Sequence, residues 1–166
     1  MELKNPITAR MVSFIKEVGL EVEQTTITEA TFLPGIRIDQ GRLLFDEDAL
    51  LYPGDLLHEA GHLAVMLPEQ RRIATDNVTS DAAEEMMAIL WSYAAALHIG
   101  IDVRVVFHPA GYKGGAEAFV SNFSERRFIG LPMLQWIGLT YDERNAKAAG
   151  APPFPHMLKW LREAAS

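Results

Sequence analysis

Cysteine is absent from this 166-residue chain. Its absence excludes disulfides, thiolate nucleophiles and cysteine-held zinc, so any metal must be held by His, Asp or Glu. Positive charge is scarce: 15 Lys and Arg against 22 Asp and Glu leave a formal charge of -7. A nucleic-acid surface would need a basic stripe against that overall sign. The nearest candidates, Arg71-Arg72 and Arg126-Arg127, are isolated pairs and read as solvated surface, so no nucleic-acid partner is expected. Long apolar runs are missing too. Residues 86–101 carry no charge but include Ser92, Tyr93 and His98, too short and polar a stretch for a membrane span. Residues 1–10 have no basic start followed by an apolar run, so no signal peptide is expected. Internal repeats and low-complexity tracts are also lacking. The expectation is a soluble, cytoplasmic protein folded as one domain over residues 1–166, with self-association left open.

What is present begins with Asn5-Pro6, an N-cap followed by proline at the first helical position. Ile7, Met11, Phe14, Ile15 and Val18 then recur at helical spacing, and Gly19 suits the stop. Residues 21–45 change pattern. Val22, Thr25, Thr26, Ile27, Thr31 and Phe32 favour strands, and residues 35–45 read as a hairpin turning at Gln40-Gly41. Pro53-Gly54-Asp55 opens a helix that Pro68 closes, followed by a polar loop over residues 69–79. A long helix is predicted from Ser80 to His98, ended by Gly100. Val103, Val105 and Val106 suggest a short strand, residues 116–123 and 131–137 shorter helices, and Met157, Leu158, Trp160 and Leu161 a terminal helix after a proline-rich connector. Trp91, Trp136 and Trp160 are expected to anchor helix packing, and Met66, Met86, Met87 and Met133 to fill the core. A small antiparallel or mixed sheet first and packed helices after gives an α+β fold.

Residues 58–62 carry the chemistry: His58-Glu59-Ala60-Gly61-His62. On a helix, positions four apart share a face, so both imidazoles reach one ion at about 2.0–2.1 Å. Glu59, next to the first ligand, leans over the metal and takes a proton from a metal-activated water, the role of general base. Leu56, Leu57, Ala60, Leu63, Ala64 and Leu67 give the helix a face to bury, and the small Ala60 and Gly61 permit close packing behind the metal. With only five histidines in the chain, chance placement of two at this spacing is uncommon.

Two histidines leave a catalytic zinc one protein ligand short. A third ligand six residues after His62 is ruled out, because that position is Pro68. A carboxylate from the next helix remains, and Asp81, Glu84 and Glu85 compete. Asp81 and Glu84 have capping-box spacing, which accounts for both as helix-start residues. Glu85 is followed along its face by Ala88 and Ser92, small enough to let the histidine helix approach, so Glu85 leads with Glu84 as the alternate.

His58-Glu59-Ala60-Gly61-His62 with Glu84-Glu85 on a later helix resembles the zincin metallopeptidases, in particular the gluzincin branch and its small intracellular members. The resemblance covers roughly residues 32–98 and extends to Ala88, three residues after Glu85. It implies a zincin-like α+β fold, a Zn2+ cofactor, a peptide or protein substrate, and an edge strand at the 35–45 hairpin that pairs with extended substrate. The chain departs from the pattern at Ile89, where many gluzincins place an Asn or Asp that orients a zinc-bound histidine. Asp55 or Ser92 is the expected substitute. An oxyanion or substrate contact is sought in the glycine-containing loop 108–115, at Tyr112 or His108. His98 and His156 are read as structural. The function expected is a zinc-dependent, peptidase-like hydrolase; the alternative is a zincin-like regulatory or interaction protein with little broad proteolytic activity.

Overall fold

Asn5 caps the first helix: its side-chain oxygen accepts the Ile7 N–H at 2.9 Å, and α1 runs Pro6–Glu17. Met11 and Ile15 on its apolar stripe are fully buried. The structure, a computed structural model, describes residues 2–76 and 81–164. The last part of the expected 69–79 loop and the expected helix start at Ser80 lie outside those residues.

Three short strands follow: β1 (Val22–Gln24), β2 (Ile36–Asp39) and β3 (Arg42–Phe45). The sheet is mixed, in the order β1-β3-β2, with β1 parallel and β2 antiparallel to β3. The expected hairpin turns at Gln40 and Gly41, whose φ values of 50° and 76° are both positive. That is the type I′ geometry matching the strand twist of a two-residue hairpin, and it suits glycine at the second position. Alternation then buries Ile36 and Ile38 on β2, and Leu43 and Phe45 on β3. No strand forms over residues 25–35 despite their β-branched residues. Thr25 adds one bond, to the Phe45 carbonyl at 2.7 Å. Beyond it the Ile27 N–H goes to the Asp46 carboxylate at 2.9 Å instead of a strand, and propensity without a pairing partner makes no strand.

The motif helix α2 (Asp55–Val65) packs against the long α4 (Ala82–Ile99). Between them Pro68 does not simply end a helix; it opens the short α3 (Pro68–Arg72) as its first residue, where a missing N–H costs nothing. The solvated reading of Arg71 is also corrected. Its guanidinium turns back to the carbonyls of Leu63 (2.7 Å), Ala64 (3.2 Å) and Met66 (3.0 Å), and reaches Arg162. These are the unpaired carbonyls at the end of α2, so a cation caps the negative end of the helix dipole. At the start of α4, Asp81 accepts the Glu84 N–H at 2.7 Å, which fixes the first turn carrying Glu84 and Glu85. Gly100, with φ 84°, ends the helix.

Helices α5 (Ala116–Ser124) and α6 (Leu131–Trp136) lie where helical spacing placed them, whereas α7 (Glu143–Ala149) buries only Ala146 and so has no apolar stripe to read. Two expectations fail. Residues Val103–Val105 form a 3-10 turn, because the Asp102 side chain accepts the Arg104 N–H at 2.9 Å and no sheet edge lies beside them. Residues 157–161 form no helix. Their backbone is spent elsewhere: Leu158 donates to Leu139 at 2.8 Å, Met157 bridges Thr140, and Arg162 donates to Ala64 at 2.9 Å. Trp91 is fully buried and donates its indole N–H to the Trp160 carbonyl at 2.8 Å, but Trp136 is 82% exposed and anchors nothing. No helix among the described residues is long and apolar enough to cross a membrane.

The contact between α2 and α4 rests on small residues. A Cβ on Gly61 would sit 2.8 Å from the Ala88 carbonyl oxygen and 3.3 Å from the Trp91 ring. The obstruction is backbone, so it yields only by moving the helices apart. Gly61→Ala is expected to destabilise the protein by about 1–3 kcal/mol despite alanine's better helix propensity, read as a lower denaturant midpoint.

Candidate metal centre

The helical spacing of His58 and His62 brings their Nε2 atoms to 3.2 Å from each other. Glu85 reaches across from α4 to both rings, with Oε2 at 2.9 Å from His62 Nε2 and Oε1 at 3.3 Å from His58 Nε2. Tetrahedral bonds of about 2.0–2.1 Å would hold donor atoms about 3.3 Å apart, and the contacts among the two imidazoles and the Glu85 carboxylate are of that size. Glu59 also brings a carboxylate oxygen within 4.8 Å of both imidazoles. Glu85 contacts both Nε2 atoms directly and is the closer fit as third ligand.

Glu84 has a different place. Its Oε2 lies 3.0 Å from His62 Nδ1, on the far side of the ring. A carboxylate there accepts the Nδ1 proton, so that a bound metal would displace only the Nε2 proton and take that lone pair. Successive helical residues point about 100° apart, so adjacent glutamates serve the two sides of one imidazole. This corrects the search for an orienting partner at Asp55 or Ser92. Ser92 donates to the Ile89 carbonyl at 2.9 Å, and Asp55 accepts from His108 at 2.7 Å. His58 Nδ1 is buried and unpartnered.

The cleft over these residues measures about 560 Å3. One wall is apolar, from Leu33, Ile36, Ile38 and Met66, with the exposed Phe32 at its rim. Tyr112 and Lys113 of the 108–115 loop also line the cleft. Tyr112, at φ 58°, packs its ring edge-on to His58 with centroids 5.3 Å apart. Its hydroxyl is buried with no hydrogen-bond partner. His108 instead is 8% exposed, stacked on Tyr52 and bonded to the equally buried Asp55. Of the two loop residues singled out in the sequence, Tyr112 faces the cleft and His108 ties the loop to the start of α2. The remaining histidines are remote: His98 lies against Phe14 and Trp160.

Burial shapes the charges here. It pushes the Glu59 carboxyl up, against the pull of His62 and His58. Burial likewise raises the Tyr112 phenol, with help from the Asp55, Glu85 and Glu59 carboxylates, so Tyr112 remains an O–H donor. For His62, burial opposes the charge, but hydrogen bonds to Glu84 and Glu85 outweigh it and raise the imidazole to about 10. The same bonds from His58 and His62 hold Glu85 well below the usual carboxylate range. Folded His62 therefore keeps its proton far above 6.5, its ordinary value. The stabilisation is complete below pH 6.5 and is lost as pH rises towards 10. Metal-free protein should lose stability across that window, and His62→Gln should flatten the loss, as read from denaturant midpoints.

Asp55–His108 carried no sequence signal, because its members are 53 residues apart. The apolar wall was legible only in part: Ile36 belongs to the hairpin expected to border substrate, whereas Met66 read as core filler. Compared with known proteins, the chain matches no family model, no curated protein and no solved structure.

Proposed function

We propose that this chain is a zinc-dependent hydrolase of the zincin type acting on peptide bonds, with His58, His62 and Glu85 as the metal ligands and Glu59 as general base. One observation carries the reading: the two imidazole Nε2 atoms lie 3.2 Å apart and the Glu85 carboxylate from the facing helix meets both, through Oε1 at 3.3 Å and Oε2 at 2.9 Å, with the Glu59 carboxylate close by. Zinc, when bound, supplies Lewis acidity that brings the pKa of water towards about 7.

The chain's residues supply the rest. Glu84 accepts from His62 Nδ1 and so would hold the ring in the tautomer whose Nε2 lone pair faces a metal. Glu59, its pKa raised by burial, is suited both to accept a proton from water and to return it to a leaving amine. Tyr112 offers a buried, unpartnered O–H in the cleft lining, where negative charge would develop on a carbonyl oxygen. The regulatory alternative has no use for a carboxylic base at Glu59, which favours catalysis. The test is to strip the protein of metal, restore zinc stepwise, and follow hydrolysis of short fluorogenic peptides. Activity that rises with zinc occupancy and saturates at about one zinc per chain is expected. A fully loaded protein that hydrolyses nothing passes the reading to the regulatory alternative.

A further inference from the structure

We infer that the cleft takes short peptides rather than extended polypeptide, because Asp76 and its neighbours seal the sheet edge along which an extended chain would pair. The inference rests on the hydrolase reading for its chemistry, but on a separate set of contacts for its selectivity.

β2 is an edge strand, since the sheet ends with it. In an antiparallel pair, inward and outward N–H groups alternate. The two-residue turn makes Asp39 and Arg42 a bonded pair, so Arg37 and Asp39 face β3. Ile36 and Ile38 therefore direct their N–H groups outward, the donors that an added strand would need. Both are taken. Ile36 donates to the Leu33 carbonyl at 3.2 Å, and Ile38 donates to Asp76 Oδ1 at 2.7 Å. The Gly41 N–H at the end of the hairpin donates to the Ala74 carbonyl at 3.0 Å. The segment leading from α3 thus lies along the edge, and Asp76 stands where a substrate carbonyl would. Arg37 Nε lies 3.7 Å from the other Asp76 oxygen and reinforces the position.

Strand edges left open invite pairing, and covering them with a loop or a charge is a recognised way to prevent it. Here the covered edge also borders the cleft, since Ile38 and Asp76 both line it. A polypeptide running through would have to displace Asp76 from a charge-assisted hydrogen bond. A short peptide need only place its scissile carbonyl beside Glu59 and one side chain against Ile36, Ile38 and Met66. The volume of about 560 Å3 suits such a ligand.

The experiment compares wild type, Asp76→Ala and Asp76→Asn, each zinc-loaded, on a tripeptide amide and a dodecapeptide containing the same scissile bond. Amide hydrogen exchange at Ile38 is read in parallel. Wild type should favour the tripeptide. Asp76→Ala should expose the Ile38 N–H to exchange and raise kcat/KM for the dodecapeptide about tenfold with little change for the tripeptide. Asp76→Asn retains a side-chain carbonyl acceptor and should behave as wild type in both readouts. Equal exchange at Ile38 in all three proteins would overturn the seal. Wild type cleaving the dodecapeptide as readily as the tripeptide would overturn the selectivity alone. Protein that cleaves neither peptide would overturn the hydrolase reading, and the substrate class with it, whatever the exchange shows.

Discussion

Glu59→Gln is expected to keep about one zinc per chain and to lose peptide hydrolysis by about 10²–10⁴-fold. In the proposed ligand set the metal is held by His58, His62 and Glu85 and not by Glu59, although its carboxylate lies within 4.8 Å of both imidazoles, so its amide should leave the metal in place. What the amide cannot do is accept and return a proton. The raised pKa of Glu59, set by burial, matters for the same reason: a base nearer neutral is a better donor on the return step. Parallel metal content and kcat measurements check the outcome. Loss of zinc along with activity would make Glu59 a ligand, and unchanged activity would remove it from the chemistry.

The second large effect separates the two glutamates of α4. Glu85→Gln should weaken zinc binding well beyond the about 10–100-fold expected when a residue orienting a ligand is changed, whereas Glu84→Gln should stay within that range. The distinction follows from position. Glu85 contacts both Nε2 atoms, and Glu84 contacts only Nδ1 of His62. Competition against a chromophoric chelator gives both constants. Equal losses would mean that the carboxylates share the metal, and a larger loss at Glu84 would exchange their roles.

Much of this centre was legible because its parts are local. The pair His58 and His62, with Glu59 between, needs only helical periodicity. The first turn of α4 could be placed because Asp81 and Glu84 have capping spacing, and the structure contains that cap. Which glutamate turns towards the histidines was not decidable from spacing. It depends on the rotation of α4 against α2, set by the contact of Gly61 with Ala88. The same limit hid Arg71, whose role as a cap arises only when the chain doubles back onto the end of α2. It hid Asp76 more thoroughly, since an acid in a polar stretch gives no sign of the strand edge it covers. The terminal segment failed in the opposite way. Met157, Leu158, Trp160 and Leu161 are spaced for a helix, but Leu139 and Ala64 claim the backbone groups a helix would use.

The most direct test of the account is the metal content of protein purified without added zinc, by elemental analysis, beside His62→Ala. About one zinc per wild-type chain is expected, removable by chelator with a fall in Tm, and little or none in a folded His62→Ala. Wild-type protein that is metal-free, takes up no zinc when it is supplied, and is as stable without it would contradict the account.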